Sequence, residues 1–300
     1  MSAPSNYRLL VITPCRDEAQ YLPALVDAVC RQTVRPVVWV IVDDGSTDGT
    51  YDIIRAAAQQ HPWIWPCCRE RQGPRQLGPG VVNAFNFGLA AAAGVDYDVI
   101  AKLDGDVTFD PHCFAAILRH FDDPRVGMAS GTHWLQQNGR LISERYAPYH
   151  VPGLAKFYRR ECFRDIGGLK PIYGWDILDE TDARRHGWLT LSDPDIVLIT
   201  PRQQGATLGV LRGRVIWGRG AYVIGSHPLF ALARGLFRMA ERPWLIGGLA
   251  FLGGFFSCYL NPKIRQIQDK KLINYLRREQ LYRLCHGNRL PPLRYKYACP

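Results

Sequence analysis

The first hundred residues alternate between two patterns of apolar and polar positions. Continuous apolar runs at 7–13 and 37–42 predict buried β-strands, whereas 18–31 and 50–59 repeat apolar side chains at helical spacing and predict amphipathic helices. A further helix at 81–93 precedes "YDVIAKLD", which predicts another strand. Strands that are apolar throughout and alternate with helices indicate an α/β fold, with a mostly parallel sheet flanked by helices.

The second half of the chain carries a mixed pattern. Short strands are predicted at "VGMAS", "LAKFYRR" and "DIVLI", and a helix at 176–186. From about residue 226, apolar helix-like segments are joined to basic flanks. We therefore expect a main domain at 1–225 and a helical, membrane-associated extension at 226–300.

Polar motifs follow three of the predicted strands, each at the C-terminal end: "TPCRDE", "DDGSTDGT" and "LDGD". Ligands of open α/β sheets bind in the crevice at that edge. In the last motif one glycine separates Asp104 from Asp106, and two like charges so close resist desolvation. A divalent cation that takes oxygen ligands, Mg²⁺ or Mn²⁺, together with a phosphate would relieve that repulsion. A solvated Asp-Gly turn is the alternative.

Composition limits the class of protein. The chain of 300 residues is 47% apolar and 21% charged, which is typical of a globular protein with a buried core. Its 9 cysteines are scattered without the paired spacing of a zinc site, so we expect a reducing compartment. The opening residues lack a basic region followed by a long apolar core, so we expect no signal peptide and a cytoplasmic location.

The net charge is +10, and the charged residues are distributed unevenly along the chain. Residues 201–300 hold 17 Lys and Arg against 3 Asp and Glu, whereas residues 1–200 hold 20 against 24. The basic part therefore predicts an anionic partner, either a membrane surface or nucleic acid. The sequence carries no recognised nucleic-acid-binding motif, so we expect no nucleic acid partner.

An uncharged segment of 17 residues, 244–260, lies within this basic part. As a helix it would span about 25 Å, less than the roughly 30 Å of a bilayer's hydrocarbon core. Arg238 and Arg242 precede it, and Lys263 and Arg265 follow it. We expect a re-entrant or interfacial segment on an anionic membrane, with a full span and a buried helix as the second and third alternatives. The expected location is peripheral or monotopic, on the inner face of the cell membrane.

Four stretches in this order, "VITPCRDEAQYL", "VIVDDGSTDGT", "AKLDGD" and "FYRRECFRDIGGLKPIYGWDILDETDARRHGW", resemble the family 2 glycosyltransferases, over roughly residues 8–200. The resemblance implies the GT-A fold, which is Rossmann-like, and transfer of a sugar with inversion from a nucleotide-sugar donor. It also implies a saccharide or lipid-linked acceptor hydroxyl, in cell-envelope polysaccharide or glycolipid synthesis. The stretch "QLYRL" (280–284) matches the motif of processive synthases only in part, so we expect a non-processive enzyme.

The resemblance assigns nucleotide-binding roles to the residues at matching positions. Asp44 would accept the N3–H of uracil, which favours a UDP-sugar donor; a turn or helix-capping role is the alternative. Pro14 and Glu18 would line the nucleoside. Arg16 stands where an aromatic side chain commonly stacks on the base, and a planar guanidinium can also stack.

The same resemblance makes Asp106 the ligand of the divalent metal, Mn²⁺ or Mg²⁺, and lets Asp104 face the ribose or share the metal shell. The metal would neutralise the diphosphate and stabilise the leaving nucleoside diphosphate. Lys102 and Arg75 lie near these motifs and could touch the diphosphate, but we interpret them as surface cations.

The general base is expected in "GWDILDE", because the family carries an acidic motif about eleven residues before a glycine that ends its helix. Counting back from Gly187 gives Asp176, and Trp175 stands where the family has a preceding acid. Asp179 and Glu180 are alternatives along the same helical face. The base would deprotonate the acceptor hydroxyl as it attacks the anomeric carbon.

Two other functions compete with this one. "DGDVT" matches the nucleophile signature of haloacid-dehalogenase-like phosphohydrolases, which would use Asp104 and Asp106, although that motif normally ends the first strand. The basic C-terminal part would also suit a non-catalytic membrane adaptor, whose function would survive Asp106→Ala. His227 could contact an acceptor, but a helix-start role beside Pro228 is favoured.

Overall fold

The computed structural model describes residues 7–70, 78–137, 139–144, 146–202 and 209–297. Within these ranges one mixed sheet contains the strands β1 (Leu9–Cys15), β2 (Val38–Asp43), β3 (Ile64–Cys68), β4 (Val99–Leu103), β5 (Thr108–Phe109), β6 (Val126–Gln137), β7 (Arg140–Ser143), β8 (Ala155–Arg159) and β9 (Leu189–Thr200). The α-helices are α1 (Leu22–Cys30), α2 (Thr50–Gln60), α3 (Pro79–Ala91), α4 (Cys113–Arg119), α5 (Arg160–Asp165), α6 (Trp175–Arg185), α7 (Val210–Val223), α8 (Pro228–Met239), α9 (Ile246–Phe256) and α10 (Lys270–Cys285).

The sheet has the strand order β3-β2-β1-β4-β8-β6-β9-β5, with β7 beside β6. The strands β3, β2, β1 and β4 are parallel. Beyond β4, the strands β8, β7 and β5 run antiparallel to their partners, whereas β6 and β9 pair in parallel, so six of the nine strands in the described ranges run in one direction. The strand β7 is antiparallel because it follows β6 too closely for a crossover connection. The α/β class with flanking helices is confirmed.

The first half of the sheet is covered on both faces. Successive side chains of a strand point to opposite faces, and Leu9 and Val11 pack in one core with α1, α2 and α4. Leu10 and Ile12 pack in the second core with α3 and α5. Because every side chain of β1, β2 and β4 is buried, the apolar runs in the sequence predict these three strands well.

The sequence pattern does not predict β3. Ile64 is its only fully buried residue, and the strand lies at the edge of the sheet. An edge strand of this kind leaves no apolar run to detect. The bounds of β1 also differ from the prediction, because the strand continues to Cys15 and includes the buried Pro14.

Glycines let α7 and α9 pack backbone to backbone. A Cβ on Gly218 of α7 would lie 2.0 Å from the carbonyl oxygen of Phe251 in α9, and a Cβ on Gly254 would lie 2.2 Å from that of Val215. The helix α7 precedes the predicted domain boundary near residue 225 and α9 follows it. The two predicted parts therefore pack closely on each other, and the boundary itself stays a prediction.

Two expectations for the C-terminal part can be compared with the structure. The uncharged segment 244–260 contains α9, which has 11 residues, and no helix in the described part of the chain has the length and apolar character needed to cross a bilayer. The full-span alternative is therefore wrong, while the interfacial one stays a prediction. His227 is the N-cap of α8, where Nδ1 accepts a hydrogen bond from the Leu229 N–H at 3.2 Å, so its helix-start role is confirmed.

Candidate functional site

The three polar motifs meet at one edge of the sheet because β2, β1 and β4 are adjacent and parallel. The Asp44 N–H donates to the carbonyl of Cys15 at 2.8 Å, which joins the loops after β1 and β2. The Glu18 N–H donates to Thr50 Oγ1 at 2.8 Å and ties the first loop to the start of α2. The expected convergence of the motifs is confirmed.

Gly105 holds the third motif against the first. A Cβ at this buried position would lie 3.1 Å from Cys15 Sγ and 3.2 Å from Glu18 Cγ, closer than most side chains approach. A larger residue would push the loop after β4 away from the loop after β1. Close packing therefore favours a glycine between Asp104 and Asp106, unlike in a solvated turn.

Asp44 lies just after β2 and is 5% exposed. Its Oδ1 accepts a hydrogen bond from Arg69 Nη1 at 2.7 Å, an ion pair that joins the ends of β2 and β3. A carboxylate acceptor and a guanidinium donor thus lie side by side. The sequence pattern does not single out Arg69, since it follows the undetected strand β3.

The loop after β1 encloses the side chains of Arg16 and Glu18 and leaves that of Asp17 exposed. The Arg16 side chain is 11% exposed, and its Nε lies 3.8 Å from Asp17 Oδ2. Glu18 is 2% exposed and reaches Arg202, which follows β9. Pro14 lies within β1 opposite Val42, so the loop itself begins after Cys15.

Arg202 joins Glu18 to Asp106. Its Nη2 lies 2.6 Å from Glu18 Oε2 and 2.7 Å from Asp106 Oδ2, and its Nε donates to the same Asp106 oxygen at 2.9 Å. The guanidinium carbon lies 4.7 Å from the centre of the Tyr21 ring. Sequence reasoning missed Arg202 because it lies 96 residues from Asp106 and outside every motif.

Lys102 is buried beneath Asp104. Its side chain is 2% exposed, and its Nζ donates to Asp104 Oδ1 and, at 2.6 Å, to the Gly153 carbonyl. The interpretation of Lys102 as a surface cation is wrong, because β4 is central in the sheet and covered on both faces. Arg75 lies outside the described residues.

Trp175 packs against two buried lysines. Lys102 of β4 and Lys156 of β8 are directly opposite in the antiparallel ladder, and each ammonium lies 5.3 Å from the centre of the Trp175 ring. Two opposed like charges would destabilise the sheet on their own. The Lys156 Nζ also lies 2.7 Å from Asp179 Oδ1, and the negative face of the indole ring attracts both ammonium groups.

Asp176 lies in the first turn of α6 and is partly exposed. The helix begins after Gly174, whose φ of +80° suits glycine. A Cβ on Gly153 would lie 3.6 Å from Asp176 Oδ2, and the Asp104 N–H donates to the Leu154 carbonyl at 2.8 Å. Asp104 and Asp176 therefore approach the same short segment, residues 153–154.

Asp179 and Glu180 lie one turn further along α6 and are buried. Asp179 accepts hydrogen bonds from Lys156 Nζ at 2.7 Å and from the Tyr158 hydroxyl at 2.5 Å. Glu180 accepts the Val151 N–H at 2.9 Å and lies 3.1 Å from His150 Nδ1. Of the three candidate bases, Asp176 is thus the one with access to solvent.

Burial raises the pKa of both buried carboxyls, but neighbouring charges give the two groups opposite net shifts. It raises the pKa of Asp179 to about 6, against the opposing charge of Lys156. Burial would also raise the pKa of Glu180, but the charges of His150 and Arg184 outweigh it and lower that pKa to about 2. Glu180 is therefore ionised inside the fold.

Arg184 connects α6 to α10. Its guanidinium donates from Nε to Glu279 Oε2 and from Nη2 to Glu279 Oε1, both at 3.0 Å. Arg184 is 2% exposed and Glu279 is 1% exposed. The helix that carries Asp176 is thus held by a buried bidentate ion pair from the C-terminal part of the chain.

Within the described ranges, no group of three or more His, Cys, Asp or Glu side chains is arranged to hold a metal ion. Asp106 and Glu18 nevertheless hold a cation, the guanidinium of Arg202. Mg²⁺ commonly takes one or two protein carboxylates and completes its shell with water and substrate phosphates. The residues therefore fit a divalent ion that binds together with a phosphate, rather than one held in a preformed cage.

A family model described as "Glycosyl transferase family 2" matches residues 10–174, more than half of the chain. An uncharacterized glycosyltransferase of Nostoc sp. is 36% identical over 120 residues, which cover 40% of this chain and 34% of the relative. An undecaprenyl-phosphate 4-deoxy-4-formamido-L-arabinose transferase of Serratia proteamaculans is 39% identical over 112 residues, which cover 35% of this chain and 30% of the relative. The chain thus spans about a third of the length of these curated relatives.

Solved structures share the fold of the chain. The mannosyltransferase PcManGT from Pyrobaculum calidifontis, in complex with GDP-Man and Mn²⁺, has a TM-score of 0.56 at 19% identity, over 96% of this chain and 79% of that one. GalNAc-T7 with UDP, GalNAc and Mn²⁺ has a TM-score of 0.60 at 14% identity, over 96% of this chain and 59% of that one. The expected GT-A fold is confirmed.

Proposed function

Because this chain belongs to glycosyl transferase family 2, we propose that it is an inverting, non-processive enzyme that moves a sugar from a nucleoside-diphosphate donor to an acceptor hydroxyl. One observation carries the proposal. The carboxylates of Asp44, Asp104 and Asp106 follow adjacent parallel strands at one edge, and Asp176 lies beside the segment that Asp104 contacts. Residues 1–225 would form the transferase domain and 226–300 its extension.

A UDP-sugar is the favoured donor. Asp44 would accept the N3–H of uracil, and Arg69, at 2.7 Å from Asp44, would donate to a neighbouring carbonyl of the base. Guanine offers a similar pair in its N1–H and O6, so GDP-sugars belong in the test. Arg16 and Glu18, in the loop after β1, would line the nucleoside, with Pro14 fixing the end of the strand beneath them.

Asp106 would hold Mn²⁺ or Mg²⁺, and Asp104, oriented by Lys102 from below, would reach the ribose or the same ion. The bound ion would offset the charge of the diphosphate and of the departing nucleoside diphosphate. The presence of Mn²⁺ in the PcManGT and GalNAc-T7 complexes supports a divalent cofactor for this fold.

Asp176 would be the general base. The acceptor oxygen bonds to the anomeric carbon as its proton moves to the Asp176 carboxylate, and the bond to the diphosphate oxygen breaks on the opposite side, so the configuration inverts. The alternatives Asp179 and Glu180 are held by Lys156, Tyr158 and His150 inside the fold, which supports Asp176.

The acceptor is proposed to be a saccharide or a lipid-linked hydroxyl, in cell-envelope polysaccharide or glycolipid synthesis. The Serratia relative is named for undecaprenyl-phosphate, which supports a lipid-carried partner. Such an acceptor would require the site to lie close to a membrane.

The helices α8 and α9 expose apolar side chains that support a membrane partner. The residues of this α8–α9 surface are each at least 41% exposed: Leu229, Leu232, Leu236, Phe237, Trp244, Leu245, Ile246, Leu249, Phe256 and Leu260. The exposed cations Arg242, Lys263 and Arg265 lie in or beside the same segment. We propose that this surface rests on the anionic inner face of the cell membrane, with the aromatic side chains at headgroup level.

A donor screen tests the enzymatic proposal. UDP-, GDP- and dTDP-sugars are titrated by calorimetry, with and without Mn²⁺, into the wild type, Asp106→Ala and the control Asp195→Ala, an exposed residue outside the motifs. We expect metal-dependent binding of a UDP-sugar that weakens at least about tenfold in Asp106→Ala only. Binding that ignores both the metal and the substitution would refute the site. Phosphate release from phosphomonoesters would favour the phosphohydrolase instead.

Vesicle sedimentation tests the membrane partner. Wild type should sediment with vesicles that contain phosphatidylglycerol and less with pure phosphatidylcholine, and added salt should release it. Phe237→Ser with Trp244→Ser should weaken binding by about tenfold or more, since each apolar side chain contributes about 1.5–3 kcal/mol when buried. Leu141→Ser with Ile142→Ser, which changes two exposed residues of β7, is the matched control. Equal sedimentation of all three proteins would exclude this surface.

A further inference from the structure

Arg202 is bound to the carboxylates that the proposed function assigns to the donor. Its Nη2 is shared between Glu18 Oε2 and Asp106 Oδ2, and its Nε adds a second contact to the same Asp106 oxygen. The Glu18 and Asp106 side chains are 3% and 13% exposed, so water and salt screen the contacts weakly. Asp106 therefore already holds a cation that belongs to the protein.

A guanidinium and a divalent ion compete for the same carboxylate oxygen. Their charges repel at contact distance, and the repulsion is strong where screening is weak. A divalent ion at Asp106 Oδ2 is therefore favoured when Arg202 moves away, and Arg202 then needs another anion to replace the contact that it gives up. A diphosphate supplies that anion, because a guanidinium binds phosphate oxygens through two parallel hydrogen bonds.

The backbone of Arg202 is held in place while its side chain has room to change partner. The Thr200 hydroxyl donates to the Arg202 carbonyl at 3.2 Å, and its oxygen lies 2.6 Å from His133 Nε2. The Tyr21 ring supports the guanidinium, whose side chain is 29% exposed. The exchange therefore needs rotation of one side chain and no movement of the sheet.

We propose that Arg202 is a positioning residue that keeps a divalent ion from Asp106 until the donor's diphosphate is present. On donor binding it exchanges its carboxylate partners for the diphosphate, so that metal and donor bind cooperatively. This inference rests on the proposed function, because it requires a diphosphate donor and a divalent ion at Asp106.

Binding of Mn²⁺ alone is the first test. The electron paramagnetic resonance signal of free Mn²⁺ is followed as wild type, Arg202→Gln or Arg202→Met is added; the methionine keeps an apolar side chain beside Tyr21. Both neutral variants should bind Mn²⁺ about tenfold more tightly than wild type, since the competing cation is gone. Arg202→Gln combined with Asp106→Ala should lose that gain, which assigns the ion to Asp106.

A second titration adds UDP. In wild type UDP should tighten Mn²⁺ binding by at least about tenfold, and Mn²⁺ should tighten UDP binding by the same factor. In Arg202→Gln and Arg202→Met this coupling between UDP and Mn²⁺ should be about tenfold smaller. Mn²⁺ then no longer competes with a guanidinium at Asp106, and the diphosphate has one cation fewer to bind. The exposed Arg265→Gln is the matched control and should behave as wild type.

The outcomes separate the inference from the proposed function. Equal or weaker Mn²⁺ binding in the Arg202 variants that keep the wild-type thermal melt, with metal-dependent UDP binding intact in wild type, would overturn the role of Arg202 alone. A wild type that binds neither Mn²⁺ nor UDP would overturn the proposed function together with it.

Discussion

The sheet edge that carries Asp104, Asp106 and Asp176 and the interior beneath it are both rich in charge, but they differ in access to water. At the edge these three carboxylates are partly exposed, and Arg202, which pairs with Asp106, comes from a distant part of the sequence. In the interior every charged group is less than a tenth exposed: Lys156, Asp179, Glu180, Arg184 and Glu279. The charges that we propose to exchange partners thus lie at the rim of the fold, whereas the charges that hold α6 are buried. We therefore expect substitutions at the edge to change activity and substitutions in the interior to change stability.

The largest expected effect is on catalysis and comes from Asp176→Asn. In the proposed mechanism Asp176 takes the acceptor's proton, which an amide cannot do, so kcat should fall about a thousandfold. The melting temperature should stay within a few degrees of wild type, because Asp176 is partly exposed. Single-turnover rates and thermal melts measure both, with Asp195→Asn as the control. A variant that keeps its activity but has a much lower melting temperature would show that Asp176 contributes to stability rather than to catalysis.

The next effect is on stability and comes from Lys156→Met. It leaves Asp179 buried without its ammonium partner, which should lower the free energy of unfolding by about 3–5 kcal/mol. Lys170→Met is the control, since Lys170 pairs with Asp182 at 3.2 Å but is 39% exposed, and its loss should be below about 1 kcal/mol. Urea unfolding measures both changes in the free energy of unfolding. Equal losses in the two variants would show that burial does not make the Lys156–Asp179 pair more important for stability.

The pH dependence of stability tests Glu180. Its pKa of about 2 in the folded chain lies below its ordinary value of 4.5, so the folded state gains stability above pH 4.5 that is lost as the pH falls towards 2. That contribution is at most about 3 kcal/mol. The free energy of unfolding of wild type should fall more steeply over this window than that of Glu180→Gln. Parallel profiles would show that Glu180 is not ionised by its buried partners.

The smallest effect is expected from Gly105→Ala, which tests how closely the edge is packed. The added methyl would lie 3.1 Å from Cys15 Sγ, so the loops must separate slightly, at about 1 kcal/mol of stability. Because the same loops carry the carboxylates that we propose bind the donor, UDP affinity should fall about fivefold, as measured by calorimetry. Gly253→Ala, where a Cβ meets nothing within 4 Å, should leave UDP affinity unchanged.

The sequence predicts an element well when the residues of that element alone show how it is buried. The strands β1, β2 and β4 are buried on both faces, so their apolar runs reveal them, and their parallel order brings the three motifs together. The expected helix at 176–186 also forms, as α6, and it puts Asp176 in its first turn.

The sequence is uninformative where a residue depends on distant neighbours. In the sequence Lys102 lies close to two aspartates, which is also typical of an exposed lysine. Its burial follows from the strand pairing, which places it opposite Lys156 inside the sheet. Arg202 lies 184 residues from Glu18, with no pattern to connect them. The ion pairs of the site are made across the sheet, and local spacing does not encode them.

The bidentate contact of Arg184 with Glu279 limits how this chain can be shortened. A protein cut ahead of α10 would leave a guanidinium in the interior without the carboxylate that matches it on two sides, and the helix bearing Asp176 would loosen. Proteolytic removal of α10 would therefore lower the rate of the proposed sugar transfer, although no residue of the proposed donor site would be changed.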